Sequence, residues 1–348
     1  MKVIRPLLYV ILTLVGVFLL FLLFATVDDY KPDEIITQEP GCEPDVLADT
    51  LDIDLVIWNI GYAGLDASMD FFYDGGKQMR PEREGVRRNL DGIRSTLELY
   101  RGFDFILLQE VDQDSKRSYH LNEYQEIQEQ FPDYHCSFGK NYDVRFVPIP
   151  VTEPMGSVVS GLMTLSRECP REVERHGFPG NYNWPMKLFM LDRCFLVSRY
   201  PIHDRKELVL INTHNSAYDD GSLRAQQMTY LRSFLVSEYE KGNYVIVGGD
   251  WNQTPYGVDN LPSHRFDTEN LTYIEKDFPA PGWQWAYDGN MPTNRRVTVP
   301  YDRSSSLTTI IDCFLLSPNI ALSHVETMDL EFRYSDHQPV HLRAGFPR

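Results

Sequence analysis

Short apolar runs that stop on a polar residue recur along this chain. Asp54-Leu55-Val56-Ile57-Trp58-Asn59 is the first, and Phe103 to Leu108 stops at Gln109-Glu110. Gly161-Leu162-Met163-Thr164-Leu165, Phe195 to Val197, Leu208 to Ile211, Val245 to Val247, Ile310 to Leu316 and Val340-His341-Leu342 follow. Runs of this length read as buried strands. Two stretches keep a different period. Val86, Leu90, Ile93, Leu97 and Tyr100 recur at three- and four-residue steps, with Pro81, Glu82 and Glu84 suited to a first helical turn. Leu223, Leu231, Phe234, Leu235 and Tyr239 form a second stripe over roughly Ser222 to Tyr239. Strands alternating with helices predict one α/β or mixed α+β domain, without internal repeats.

The N-terminus follows another rule. Leu7 to Val27 is apolar except for Thr13, Gly16 and Thr26, and as a helix it reaches about 30 Å, enough to cross a bilayer. Lys2 and Arg5 precede it, and Asp28, Asp29, Asp33 and Glu34 follow, so the expected orientation leaves the N-terminus cytoplasmic and the rest exported. The competing reading is a cleaved signal peptide, which would make the protein secreted; its apolar core is long for that, and Ala25-Thr26-Val27 is a poor cleavage site. From Asp28 to about Leu51 the chain is acidic and Pro-containing, which reads as a tether. The expected organisation is an anchor over residues 1–27, a tether over 28–51 and a catalytic domain over 52–348.

Charge narrows the partners. With 50 acidic and 33 basic residues the formal net charge is −17, which argues against a high-affinity nucleic-acid scaffold but not against a nuclease that neutralises phosphate with a divalent cation. The five cysteines show no metal-type spacing. Export would permit a disulfide, with Cys169 and Cys194 the nearest pair in sequence among the later four, while Cys313 inside an apolar run reads as a buried thiol. Nothing calls for an obligate protein partner.

The polar residues that end the runs are Asn59, Glu110, Asn212, His214, Asp250, Asn252, Asp312, Asp336 and His337. Strand ends on one edge of a layered sheet protein meet in space, so residues scattered along the chain converge there. Oxygen donors such as Asn59, Glu110 and Asp336 suit a hard cation: Mg²⁺, with Mn²⁺ or Ca²⁺ as alternatives. Asp250 with Asn252 would orient and deprotonate a water. His214 and His337 would stabilise phosphoryl oxygens or protonate a leaving group, and Asp312 would hold one imidazole in its tautomer. Alone, each has a plainer explanation as a turn, cap or satisfied polar group. Together they point to metal-assisted phosphoryl chemistry.

Seven segments carry a resemblance: Ile57-Trp58-Asn59, Leu108-Gln109-Glu110-Val111, Ser160 to Ser166, Asn212-Thr213-His214, Gly249-Asp250-Trp251-Asn252, Ile311 to Leu316 and Ser335-Asp336-His337-Gln338-Pro339-Val340. In this order the chain resembles the endonuclease/exonuclease/phosphatase superfamily, that of deoxyribonuclease I, over about Asp54 to Leu342. The resemblance implies an α+β fold, a two-sheet β-sandwich flanked by helices, with the site at one edge. It places Asn59, Glu110 and Asp336 at the metal, Asp250 and Asn252 at the attacking water and phosphate, and His214 and His337 as catalytic imidazoles, with Asp312 orienting His337.

Departures sort the branches. Abasic-site endonucleases usually carry Tyr where this chain has His214, and inositol-polyphosphate 5-phosphatases typically follow the aspartate with arginine where this chain has Cys313. Asn-Thr-His is similar to sphingomyelinases and deoxyribonuclease-like enzymes. The expected substrate is a phosphoester, in nucleic acid or a phospholipid head group. Asn212, Arg295 and Trp283 are the expected substrate contacts, because Trp283, Trp285 and Tyr287 followed by Arg295 and Arg296 could stack a base or grip a phosphorylated head group. The basic cluster from Lys77 to Arg88, and Lys116 with Arg117, are open to the same reading. A phosphomonoesterase, or a surface protein that keeps the fold without activity, is the alternative.

Overall fold

The computed structural model describes residues 4–47, 52–202, 206–217, 219–262, 264–268 and 271–346. Lys2 and Leu51 lie outside them. The apolar runs become the inner strands of two sheets packed face to face. One sheet has six strands, ordered Ala321–Thr327, Val340–Gly345, Asp52–Asn59, Phe105–Asp112, Gly156–Ser166, His135–Val147. The other has seven, ordered Ile35–Gln38, Glu172–Gly177, Cys194–Pro201, Glu207–His214, Tyr244–Asp250, Asp312–Leu316, Gln284–Ala286. The α-helices are α1 (Ile4–Val27), α2 (Arg83–Glu98), α3 (Glu123–Gln130) and α4 (Ser222–Glu240).

Strand alternation divides the core. Ile53, Leu55 and Ile57 face the opposite sheet, where they meet Leu208, Leu210, Ile246 and Phe314. Val56, Trp58, Ile106 and Leu108 point outward and are covered by Val86, Leu90, Ile93 and Leu97 of α2. Val209, Ile211, Val245 and Val247 on the second sheet are covered by Leu231 and Leu235 of α4. Strands buried on both faces read as unbroken apolar runs, which is why they stand out in the sequence.

Two parallel pairs set up the site. Asp52–Asn59 runs parallel to Phe105–Asp112 in one sheet, and Glu207–His214 runs parallel to Tyr244–Asp250 in the other. Helices α2 and α4 are the respective crossovers. Each pair therefore finishes both strands at one edge, with Asn59 opposite Gln109 and His214 opposite Asp250.

Part of the segment 28–47 is docked on the domain. Ile35–Gln38 adds an antiparallel edge strand to Glu172–Gly177, and Leu47 bridges to Ile202. A disulfide joins Cys42 to Cys169. Cys194 is instead a buried thiol, as is Cys313. The hairpin explains the partner: Gly177 pairs with Cys194 at one end and Glu172 with Arg199 at the other, so Cys169 and Cys194 lie at opposite ends. The strand His135–Val147 goes unanticipated because its polar, half-exposed sequence has no apolar run.

Candidate active site

Close backbone approach brings the first pair of side chains together. A Cβ on Gly249 would lie 2.1 Å from the carbonyl oxygen of Thr213, so only glycine lets this strand sit against Glu207–His214 at that level. Asp250 then lies beside His214, with Oδ2 3.4 Å from Nε2. Asn252 follows at φ +50°, a conformation Asn tolerates well, and its N–H donates to Asp250 Oδ1 at 2.9 Å. Glu110 holds φ +55° where the register shifts between Leu108 and Val111. That irregularity leaves its carboxylate 3.3 Å from the donating Asn59 Nδ2. Positive φ at a glutamate costs on the order of 1–3 kcal/mol and persists where the surroundings impose it.

The two sheets meet through Asn59, whose Nδ2 also donates to Asp250 Oδ2 at 3.0 Å. Its Oδ1 accepts from Gly61 N–H at 3.0 Å. Opposite them, His337 Nδ1 lies 2.8 Å from Asp312 Oδ2, and its Nε2 lies 3.7 Å from Asp250 Oδ2 and 3.0 Å from Asn294 Nδ2. Ser335 fixes this turn by donating to the carbonyl of Asn59 and accepting from His337 N–H.

Electrostatics distinguish the two histidines. Burial keeps His214 well below the usual imidazole range, helped by Arg193 and His337. Among the described residues its buried Nδ1 has no hydrogen-bond partner, so the proton of the neutral ring belongs on Nε2, facing Asp250. Burial also works against charge on His337, but Asp312, Asp250 and Asp336 outweigh it and hold the ring well above the usual range. A charged His337 donates from Nε2 and turns the Asn294 amide oxygen toward it; a neutral one accepts from the amide nitrogen. Burial pushes Asp250 up to about 6 against the pull of His337. It pushes Asp336 up to about 7, with Glu110 adding to the effect.

Crowded carboxylates of this kind are what a hard cation relieves. Glu110 and Asp336 bring carboxylate oxygens of the kind that suits Mg²⁺, Mn²⁺ or Ca²⁺, whereas Asn59 turns Nδ2 toward Glu110 and keeps Oδ1 on Gly61 N–H. Asp250, Asp312 and His337 also lie within 4.8 Å of one another. Two of that trio are already joined by a hydrogen bond, and an imidazole nitrogen suits softer ions.

Beside this cluster a cavity of about 1110 Å³ is lined by Glu110, His214, Asp250, Asn252, Asn294, Arg295, Asp336 and His337, among others. Arg295 reaches it, though its guanidinium donates to the carbonyls of Val299 and Asp66. Asn212 lies elsewhere, buried between the sheets, donating to the carbonyls of Leu108 and Met163 and accepting from Gln109 Nε2. Trp283 also stays outside the lining, packed edge-on against Tyr239 at 5.9 Å, and Trp285 packs on Trp251 at 4.8 Å. Arg87 pairs with Glu126 and Arg80 with Glu153, also off the lining. Arg117 lines the cavity but is bound to the buried Asp112. Asn294 goes unanticipated: a single amide on a two-residue strand paired with Leu307–Thr309 has no pattern to mark it.

The endonuclease/exonuclease/phosphatase family profile matches residues 56–337. The chain belongs to this family. Among solved structures, the family member from Bacteroides vulgatus is 13% identical, with a TM-score of 0.54 over 85% of this chain and 100% of that one. D. rerio TDP2 complexed with single-strand DNA product is 15% identical, with a TM-score of 0.53 over 84% and 99%. ANGEL2, a 2',3'-cyclic phosphatase, in complex with adenosine-2',3'-vanadate, is 15% identical, with a TM-score of 0.54 over 90% and 99%. At these identities the likeness is one of fold. No curated protein sequence matches the chain. The two sheets with flanking helices are the sandwich of the endonuclease/exonuclease/phosphatase family.

Proposed function

We propose that this protein is a membrane-anchored, divalent-metal-dependent phosphodiesterase with its catalytic domain outside the cytoplasm. One observation carries the chemistry: Asp250 sits between His214 and the His337–Asp312 pair, while Asn59 ties it to Glu110. The family match and the fold neighbours, phosphoesterases among them, support the reaction class. One helix, from Arg5 to Val27, has the length and a mean hydropathy of 3.0 that suit a membrane span, and this supports the anchor.

Glu110 and Asp336 would hold the cation, with Asn59 Nδ2 positioning Glu110, and the bound cation would polarise the phosphoryl group and stabilise charge on the departing oxygen. Asp250 takes a proton from a water oriented with the help of Asn252. The water oxygen bonds to phosphorus as the ester P–O bond breaks. His337, kept charged by Asp312, gives its Nε2 proton to the departing oxygen. The Nε2–H of neutral His214 donates to a phosphoryl oxygen.

The test uses the full chain in detergent with bis-p-nitrophenyl phosphate and p-nitrophenyl phosphate, with Mg²⁺, Mn²⁺, Ca²⁺ or chelator. Diester cleavage lost on chelation, and reduced by factors of order 10²–10⁴ in Asp250→Ala and His337→Ala, is expected. Undiminished activity in either variant would remove the assignment. Preference for the monoester would replace diesterase with monoesterase.

A further inference from the structure

The anchor helix and the cavity share a wall. Phe189 lines the cavity and stacks on Phe21 of α1, with ring centroids 5.8 Å apart and planes within 8°. Phe146 meets the same ring edge-on at 6.2 Å. Trp184 Nε1–H donates to Thr26 Oγ1 at 3.2 Å, and Arg145 Nε–H donates to Asp28 at 2.9 Å. Leu22 is only 6% exposed, whereas the large side chains from Leu7 to Leu20 are bare.

Those facts set a depth. The stretch from Arg5 to Leu20, its large side chains bare, is about 24 Å long as a helix, shorter than the roughly 30 Å of a bilayer core, and Leu23, Phe24 and Val27 continue an exposed apolar face beyond it. A bilayer that surrounds α1 therefore extends to the level of Phe21 and Leu22, where Phe146 and Phe189 touch the helix. The segments that carry these contacts expose an unusual run of apolar groups: Ile149, Val151 (81% exposed), Trp184 (55% exposed) and Met186. Ile149 and Met186 belong to the cavity lining as well. A tryptophan at the end of a spanning helix, with apolar neighbours, is at home in the head-group layer.

We infer that this apolar rim lies in the membrane surface and that the cavity takes its phosphoester from a lipid head group there. The inference rests on the hydrolase reading above. A formal net charge of −17 agrees with it, because a lipid brings one phosphate where a nucleic acid brings many. The rim substitutes for a basic docking face: the lipid arrives by lateral diffusion, with its acyl chains left in the bilayer.

The experiment reconstitutes the full chain into phosphatidylcholine vesicles containing sphingomyelin, phosphatidylglycerol or phosphatidate. It follows tryptophan quenching by brominated lipid, cleavage of vesicle lipid, and cleavage of bis-p-nitrophenyl phosphate. Subtracting the signal of Trp184→Phe isolates Trp184. Expected are quenching of Trp184, cleavage of at least one vesicle lipid, and a loss of 10-fold or more in lipid cleavage for the Phe146→Ser/Val151→Asp double variant. Cleavage of the soluble diester stays within twofold in that variant, since neither residue lines the cavity. Trp184 unquenched, equal loss on both substrates, or a mature chain without α1 overturns the inference. So does diester cleavage with no lipid of the panel touched. If neither substrate is cleaved while Trp184 is quenched, the hydrolase reading fails and the lipid substrate falls with it, leaving only the membrane contact.

Discussion

Asp312 lies directly across the antiparallel ladder from Asp250, and its carboxylate reaches 2.8 Å to His337 Nδ1. One rung of the sheet thus carries both the proposed base and the group that charges the proposed acid. The ladder fixes the two backbone positions, and Asn59 and Asn252 on Asp250 and His337 on Asp312 hold the carboxylates, which preorganises the pair.

Asp312→Asn keeps the shape and removes the charge that sustains His337. Turnover of a diester is expected to fall by factors of order 10²–10⁴, with KM changed little, because the substrate does not touch this buried side chain. Steady-state kinetics would show it. A rise in KM with turnover intact would assign Asp312 to substrate binding instead.

The geometry of Asn212 predicts a different phenotype. Its amide joins the two sheets at Leu108, Met163 and Gln109, so Asn212→Ala leaves buried polar groups unpaired. The expected loss is about 2–4 kcal/mol of stability by urea titration. KM of the folded fraction should stay within twofold, and a large KM change at unaltered stability would return Asn212 to the substrate.

Legibility followed burial. Asn59, Glu110, His214 and Asp250 lie at the ends of strands covered on both faces, where polar groups interrupting apolar runs are conspicuous in one sequence, while His337 lies just before the strand Val340–Gly345. The helices α2 and α4 were legible for the same reason, since each covers one face of a sheet with a periodic stripe. Asn294 and the strand His135–Val147 were not, because an isolated amide and a half-exposed strand leave no period. Trp283 shows the opposite error: aromatic residues beside arginines suggest stacking, yet here they pack between α4 and the sheet. Nor does sequence distance report spatial distance in a hairpin, so Cys194 seemed nearer to Cys169 than Cys42 does.

The Cys42–Cys169 bridge closes a loop spanning 127 positions and holds the segment carrying Ile35–Gln38 to the domain. Cys42→Ser with Cys169→Ser should cost about 2–4 kcal/mol. The edge strand should loosen first, because only four residues hold it. Hydrogen exchange would detect early loss of protection at Ile35–Gln38 while the strand Tyr244–Asp250 stays protected. Simultaneous loss at both would mean the strap is no separate unit.

Glu238 of α4 gives the clearest dependence on acidity away from the cavity. Its buried carboxylate accepts from Arg199 at 3.0 and 3.1 Å, from Lys241 at 2.7 Å and from Asn243 at 2.8 Å. Burial opposes the charge, but Arg199, Lys241 and Asn243 prevail and hold the group at about 2, below its ordinary 4.5. Because the folded state favours the ionised form, its stabilisation is complete above about pH 5 and disappears as pH falls from 4.5 toward 2. Glu238→Gln should therefore lower stability at pH 7 by about 3 kcal/mol, the low end for a broken buried pair, since Arg199 retains Glu207 at 3.4 Å. The gap in Tm between wild type and variant should narrow steadily below pH 4.5. A gap that stays constant from pH 7 to pH 3 would show that Glu238 acts through packing, not charge.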